Sequence, residues 1–387
     1  MPRASYGRRR GLLARLARLG LALLLCAMFL PALIGWGRAA VECRMLGGGT
    51  PVERPTVEPP AVAEGGPAAG TYARPEEQTY LTLPEWYIVY SADEYAAFLN
   101  RSQPSGFPYF SAVGQFWRAY FDVCTVTQDR YPFNSGTHLM LAVIGTSFTA
   151  ENVVKGVYEN TIGRVSEWAS TGQPTAEEQF AREVAAEYGT FLHTTPWYMF
   201  PFWERLQRLW QPSLSGPNMV RKVERRLALT IEYAVKAGYG WAIKQATESV
   251  YAPEDLTIWA RADGNLDGLT EREPTVRLVQ SADGRPPLLG LPRYEAFTRI
   301  MPRLVEQGVR FSEIAGNDEI MLTVLAPASW NDPGPDAERL FSMPILTEPG
   351  RTRYALKVPV GALHTVVERL AGLPASDGVT IEHIYDY

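Results

Sequence analysis

Glu187, His193, Glu232 and Tyr233 are the residue types that acid–base or metal chemistry needs, gathered in the middle of the chain. A buried carboxylate near an imidazole can hold or move a proton at neutral pH, and a phenol beside them can donate to a developing anion. Glu232 and Tyr233 interrupt an otherwise apolar stretch, and His193 precedes Pro196 at what reads as a helix end. If Glu187, His193 and Glu232 converge inside a bundle they make an acid–base or metal site; otherwise they are solvated faces or single buried pairs. Glu151, Glu159 and Glu167 recur every eight residues, with Glu183 and Glu224 on neighbouring segments, so carboxylates run through the whole region.

A second stretch, "DGNLDGLTERE" from Asp263 to Glu273, opens D-x-N-x-D-G. Asp263, Asn265 and Asp267 would supply oxygens at positions one, three and five of a calcium loop, with Gly268 at the sharp turn. Position twelve should be acidic and is Pro274; Glu273 stands one place short. An Asx-rich hairpin loop is the competing expectation. Calcium is the one cofactor left open. The four histidines, His138, His193, His364 and His383, form no H-E-x-x-H or E-x-x-H pair, and no cysteines stand at zinc spacing. No G-x-S-x-G elbow, phosphate loop or dinucleotide fingerprint occurs.

A third stretch is a surface chemistry. Trp197, Tyr198, Phe200, Phe202, Trp203 and Trp210 crowd a segment broken by Pro196 and Pro201, followed by Arg205, Arg208 and "RKVERR" at 221–226. Aromatics beside arginines form belts at lipid headgroups or line apolar pockets; the alternative is an aromatic core.

The elements that must carry these residues divide the chain into four parts. Residues 1–41 are a basic segment and an anchor. Six arginines (Arg3, Arg8, Arg9, Arg10, Arg15, Arg18) precede an uncharged run, Leu19 to Trp36, of 18 residues. That is just enough for a transmembrane helix, oriented with its N-terminus in the cytoplasm. A cleaved secretory signal is the rival, and Arg38 spoils its best cleavage register. Either way the bulk lies on the periplasmic side of an inner membrane. Residues 42–75, with six prolines, read as a linker. Residues 76–252 read as helical, with the longest periodic segment bearing Val220, Val223, Leu227, Ile231, Ala234, Gly238 and Trp241 at helical spacing, the pattern of a face packed on another helix. Capping boxes are expected at Ser91/Glu94 and Thr175/Glu178, and a helix start at Thr149.

Residues 253–387 read as short β-branched strands. "LLGLPRYEAFTRIMPRLVEQGVRFSEIAG" and "ALKVPVGALHTVVERLAGLPASDGVTIEHIYD" share the order strand, proline, helix, Gly-Val, strand. Two such units suggest a small ferredoxin-like domain, so the fold class expected is α+β behind a single transmembrane helix. "GND" at 316–318 reads as a hairpin turn.

Setting the six N-terminal arginines aside leaves 31 basic against 42 acidic residues, a balance of about −11. Such a body does not suit nucleic acid, whose affinity comes from neutralised phosphates. Cys43 and Cys124 can pair in an oxidising compartment or remain two small unpaired residues. The function expected is binding of an envelope partner protein or an apolar, lipid-like ligand at the membrane face. The alternative is an enzyme acting on a lipid or envelope substrate through the Glu/His residues.

Overall fold

The computed structural model describes residues 30, 32–44, 74, 77–170, 172–212, 216–247, 256–281, 284–331 and 333–386. Most of the uncharged run (19–29 and Pro31) and most of the linker lie outside them. Among the described residues no helix is long and apolar enough to cross a membrane.

The chain is α+β, helical first and then two small antiparallel sheets. Helix α1 covers 32–42. There follow α2 (Gln78–Leu81), α3 (Leu83–Leu99), α4 (Tyr109–Thr127), α5 (Ser135–Tyr158), a π-helical turn (Glu159–Gly163) and α6 (Arg164–Trp168). Then come α7 (Ala176–Leu192), a 3-10 turn (Trp197–Met199), α8 (Phe202–Leu209) and α9 (Met219–Thr247). The Thr175/Glu178 capping box forms, each side chain meeting the other's backbone N–H. Ser91 does not cap: Pro84 starts α3 a full two turns earlier, which leaves Ser91 buried mid-helix. Thr149 is likewise interior, because Asn134 caps α5 by accepting the Thr137 N–H at 3.2 Å.

The β half reads β1 (Thr257–Gly264), α10 (Leu269–Arg272), β2 (Arg277–Val279), β3 (Leu288–Pro292), α11 (Glu295–Glu306) and β4 (Val309–Ile314). It continues with β5 (Glu319–Pro327), β6 (Glu338–Pro344), β7 (Arg351–Pro359), α12 (Leu363–Ala371) and β8 (Thr380–Ile384). The sheet orders are β2-β3-β1-β4 and β6-β7-β5-β8, the same topology twice. The repeat extends to register. Ala260, Arg261 and Ala262 face Ile314, Glu313 and Phe311, with a bulge after Arg261. Leu322, Thr323 and Val324 face Ile384, His383 and Ile381, with a bulge after Thr323. A bulge is a specific two-against-one pairing, so its recurrence at the matching place marks the units as structural duplicates.

Each β-α-β unit fills the gap between its parallel strands with its own antiparallel strand, β1 or β5, and so builds a separate sheet. A ferredoxin-like sandwich would merge the two units into one. The 316–318 turn therefore links sheets instead of closing a hairpin, with Ala315 and Gly316 at positive φ.

One core serves both units, with Phe297, Ile300 and Leu304 of α11 and Val366 and Leu370 of α12 packed on Ile258, Leu322 and Val358. Strand β5 is buried on both faces. Its even-numbered residues join that core, while Met321 belongs with Met343, Ala355 and Tyr385 to the aromatic core of α2–α5. Arg353 fastens this second face: its buried guanidinium lies 4.0 Å over the Tyr90 ring and meets Glu382 at 2.5 Å and Glu94 at 3.3 Å.

Cys43 and Cys124 form a disulfide. It clamps the end of α1 to α4, where Gly35 lies directly on the Trp117 ring so that a Cβ there would clash. The Arg38 guanidinium sits 4.5 Å over Phe121.

Candidate functional site

Helices α5 and α9 run antiparallel, side by side, and the seam between them is ionic. Passing along it, Ser147 meets Tyr239 (3.3 Å), Glu151 meets Lys236 (2.7 Å), Lys155 meets Glu232 (2.7 Å) and Tyr158 meets Glu224 (2.6 Å). Glu159 then takes Arg225 at 2.9 and 3.1 Å. Arg221, with its side chain fully buried, reaches Glu178 (2.8 Å), Glu224 (3.1 Å), Glu167 (3.2 Å) and the Gly163 carbonyl (3.1 Å). The π turn at 159–163 changes the phase of the helix so that Glu159, Gly163 and Ser166 all face these arginines, a role such turns often play.

Glu151, Lys155, Glu232 and Lys236 form a closed ring of alternating charge. Burial pushes the Glu151 carboxyl up, but Lys236 and Lys155 outweigh it and hold it below the usual range. Burial acts against Lys155, and Glu232 and Glu151 reverse that and hold its ammonium well above its ordinary value. Glu232 is kept low in the same way by Lys155 and Lys236. Beside the ring lies a cavity of about 30 Å³, edged by Tyr95, Glu159 and Arg225, which has room for about one water. The ring is thus held as partnered ions that fix α5 against α9.

The outward side of this pair is apolar. On α9, Val220, Leu227, Ile231 and Val235 are 63, 52, 64 and 64 % exposed, and Trp241 is 68 % exposed. Val143, Val154, Val157, Ile162 and Val165 are exposed along α5 and its continuation. The periodic stripe of α9 therefore has its expected spacing but points outward. The reason lies on its other face: Arg221, Arg225, Glu232 and Lys236 find their counter-ions on α5 and α7 only if that face turns in. Of the two glycines in the last third of α9, Gly240 takes a close approach from the Tyr198 backbone, whereas Gly238 has open space.

The four acid–base candidates do not converge. Glu187 is exposed and pairs with Arg205 at 2.7 Å. Glu232 belongs to the charged ring. Tyr233, one residue on, packs on Phe202 with ring centroids 6.2 Å apart. His193 caps α7, with Nε2 2.6 Å from Asp93 and Nδ1 3.3 Å from Glu295, which ties α3, α7 and α11 together. Hydrogen bonds to Asp93 and then Glu295 push its pKa up to about 9. Sequence reasoning missed both carboxylates, which lie about a hundred residues away on either side. It also missed Lys155 and Lys236, although their i,i+4 spacing from Glu151 and Glu232 was a visible signal.

The aromatic stretch splits. Phe200 and Phe202 are buried with Tyr188 and Phe191. Trp197 and Tyr198 are half-buried, and Trp197 lies 5.2 Å from the Tyr239 ring. Trp203 and Trp210 stay exposed, Trp210 donating to Thr230 at 3.0 Å. In the 263–273 loop, Asp263, Asn265 and Asp267 are exposed and Gly268 takes the left-handed conformation. Glu273 is instead held by Arg303 through two 3.0 Å bonds, which keep its carboxyl below the usual range. Among the described residues, Cys43, Cys124 and His138 bring ligand atoms within 4.8 Å of one another, with both sulfurs taken by the disulfide. No known protein family, curated protein or solved structure matches this chain.

Proposed function

We propose that the chain is an exported protein, anchored in the inner membrane by its N-terminal helix, that presents its helical half to an apolar partner at the membrane face and performs no turnover of its own. The observation that carries this is the α5–α9 pair, with ions inside and aliphatic side chains outside. Exposed aliphatic side chains recur along one side of both helices, and an apolar face rimmed by polar residues is the kind of surface that meets a partner. The disulfide supports export, since such bonds persist in oxidising compartments. Scatter of the Glu/His candidates supports binding over catalysis. Calcium at Asp263, Asn265 and Asp267 would at most fill an open loop whose Glu273 is already engaged by Arg303.

The test is the full chain in its own cells, with a reporter at the C-terminus. Export and anchorage predict reporter activity outside the cytosol and retention in the membrane pellet through alkaline carbonate. A reporter active only in the cytosol, or release by carbonate, would overturn it.

A further inference from the structure

We infer that Cys43, Cys124 and His138 form a binding site for a soft divalent cation of the zinc class, closed while the two sulfurs are joined and opened when a reductant parts them. Neither the anchor nor the apolar face of α5 and α9 enters into it. Three elements bring the ligands together. Cys43 follows the last turn of α1, Cys124 lies on α4, and His138 stands in the first turn of α5. Local cysteine spacing gives no hint of this, because the two sulfurs come from positions 81 residues apart. All three side chains are buried, and one ligand atom from each lies within 4.8 Å of the other two. Two thiolates and an imidazole are a donor set that suits zinc, whereas calcium and magnesium take oxygen.

The imidazole is held as a ligand must be. Its ring stacks on Phe133 with centroids 4.4 Å apart and planes 6° apart, and the Tyr120 hydroxyl lies 2.8 Å from Nδ1. Nε2 makes no hydrogen bond among the described residues. When Nδ1–H donates to Tyr120, the Nε2 lone pair is left open, which is how an outer partner sets the tautomer of a metal-bound imidazole. The backbone is fixed as well. The His138 N–H donates to the Asn134 carbonyl at 3.0 Å, and Asn134 both caps α5 and donates from Nδ2 to Glu77 at 3.3 Å. A disulfide that served only as a clamp would gain nothing from an oriented imidazole at its sulfurs.

The distances suit an ion. Two Zn–S bonds of about 2.3 Å at the tetrahedral angle put their sulfurs about 3.8 Å apart, inside the 4.8 Å span of the three ligand atoms. With Cα atoms 4.7 Å apart, the cysteine side chains reach that separation by turning about their Cα–Cβ bonds, and α1 need not leave α4. A cavity of about 10 Å³ edged by Cys43, Glu77 and His138 has room for about one water, the usual fourth ligand where a protein supplies three. With a phosphine as reductant, phosphorus attacks one sulfur and the S–S bond breaks. Water then gives its oxygen to phosphorus, the phosphine leaves as its oxide, and the two sulfurs take the two protons. A dithiol does the same by exchange, its own thiols ending joined. Zinc displaces the two thiol protons and binds as a neutral complex.

The experiment uses the full chain carrying Cys26→Ser, purified in detergent, with cobalt as a coloured stand-in for zinc. The oxidised chain should show no metal band. The phosphine-reduced chain should develop a thiolate-to-cobalt charge-transfer band and the visible bands of a tetrahedral ion, saturating at one cobalt per chain and bleached by zinc. His138→Ala should keep the Cys43–Cys124 bond in the oxidised chain and weaken cobalt binding by the reduced chain at least ~10-fold. Where His138→Ala fails to form the bond, His138→Gln takes its place. Reduced chain that keeps its near-ultraviolet circular dichroism but shows no thiolate band overturns the inference. So does an affinity unchanged by the His138 substitution, with cobalt then held by the thiols alone. If reduction by itself abolishes the near-ultraviolet signal, zinc should restore it, and failure to do so also overturns the inference. Release or retention of the chain in the membrane pellet bears on the anchor and leaves all of these outcomes as they are.

Discussion

The β half and the α5–α9 pair solve the same packing problem with opposite signs. Around α11 and α12, aliphatic side chains turn in and charges turn out, the arrangement that removal of apolar surface from water favours. Between α5 and α9, Arg221, Arg225, Lys155 and four or more carboxylates turn in, and Val154, Ile231 and Trp241 turn out. A buried ion network contributes little net stability over an apolar core but is specific about register, because each guanidinium has one geometry that satisfies it. The contrast teaches that the two halves fix their packing by different means: apolar burial in the duplicated β units, matched ion pairs between α5 and α9.

Substitutions can sharpen this contrast. The largest effect is expected from Phe297→Ala, which empties a fully buried site in the shared β core and should cost about 3–5 kcal/mol in unfolding free energy by denaturant titration. Arg221→Met should cost a similar amount, about 3–5 kcal/mol, by leaving Glu178, Glu167 and Glu224 without their cation. If Arg221→Met proves neutral, the seam is not the element that turns α9. Cys43→Ser removes a bond that closes 81 residues and should lower stability by about 2–4 kcal/mol while freeing α1 from α4, read as protease cleavage appearing after residue 44.

Two histidines should give opposite pH slopes. His193 has its folded-state pKa raised to about 9 by Asp93 and Glu295, so its stabilisation is complete below its ordinary value near 6.5 and fades as pH climbs toward 9. His383 is buried against Trp86, and burial drives its pKa down to about 3, so it favours the folded state above 6.5 and withdraws that support as pH falls toward 3. The thermal midpoint should fall on both sides, with the alkaline slope flattened in His193→Gln and the acid slope unaffected by that change. The smallest effect belongs to Ile231→Ala on the outer face. It should stay within about 0.5 kcal/mol in water-filled detergent solution, where no close-packed neighbour is lost.

Much of the architecture was legible because it is local. The two echoes, 288–316 and 355–386, each hold strand, helix and strand within one contiguous stretch, and both units fold as that pattern implies. The partners of those strands were not legible, since β1 and β5 must come from outside the echo, and the count of sheets follows from them. On α9 the spacing of Val220, Leu227 and Ile231 showed a helix with an apolar stripe, but periodicity has no sign. Which face turns inward is decided by Glu151, Glu159 and Glu178 on other helices. His193 was visible as a helix end; Asp93 and Glu295 meet it only through tertiary contact. The Glu187, Glu232 and Tyr233 trio shared a region but not a direction, because consecutive helix positions diverge by about 100°.

The most direct measurement is photolabelling of the full chain in native membranes with an apolar carbene reagent, followed by peptide mapping. The account predicts adducts on the α9 peptide containing Leu227, Ile231 and Val235 and on the α5 peptide containing Val154 and Val157, with α7 unlabelled. Adducts confined to residues before 44, with α5 and α9 clean, would contradict it.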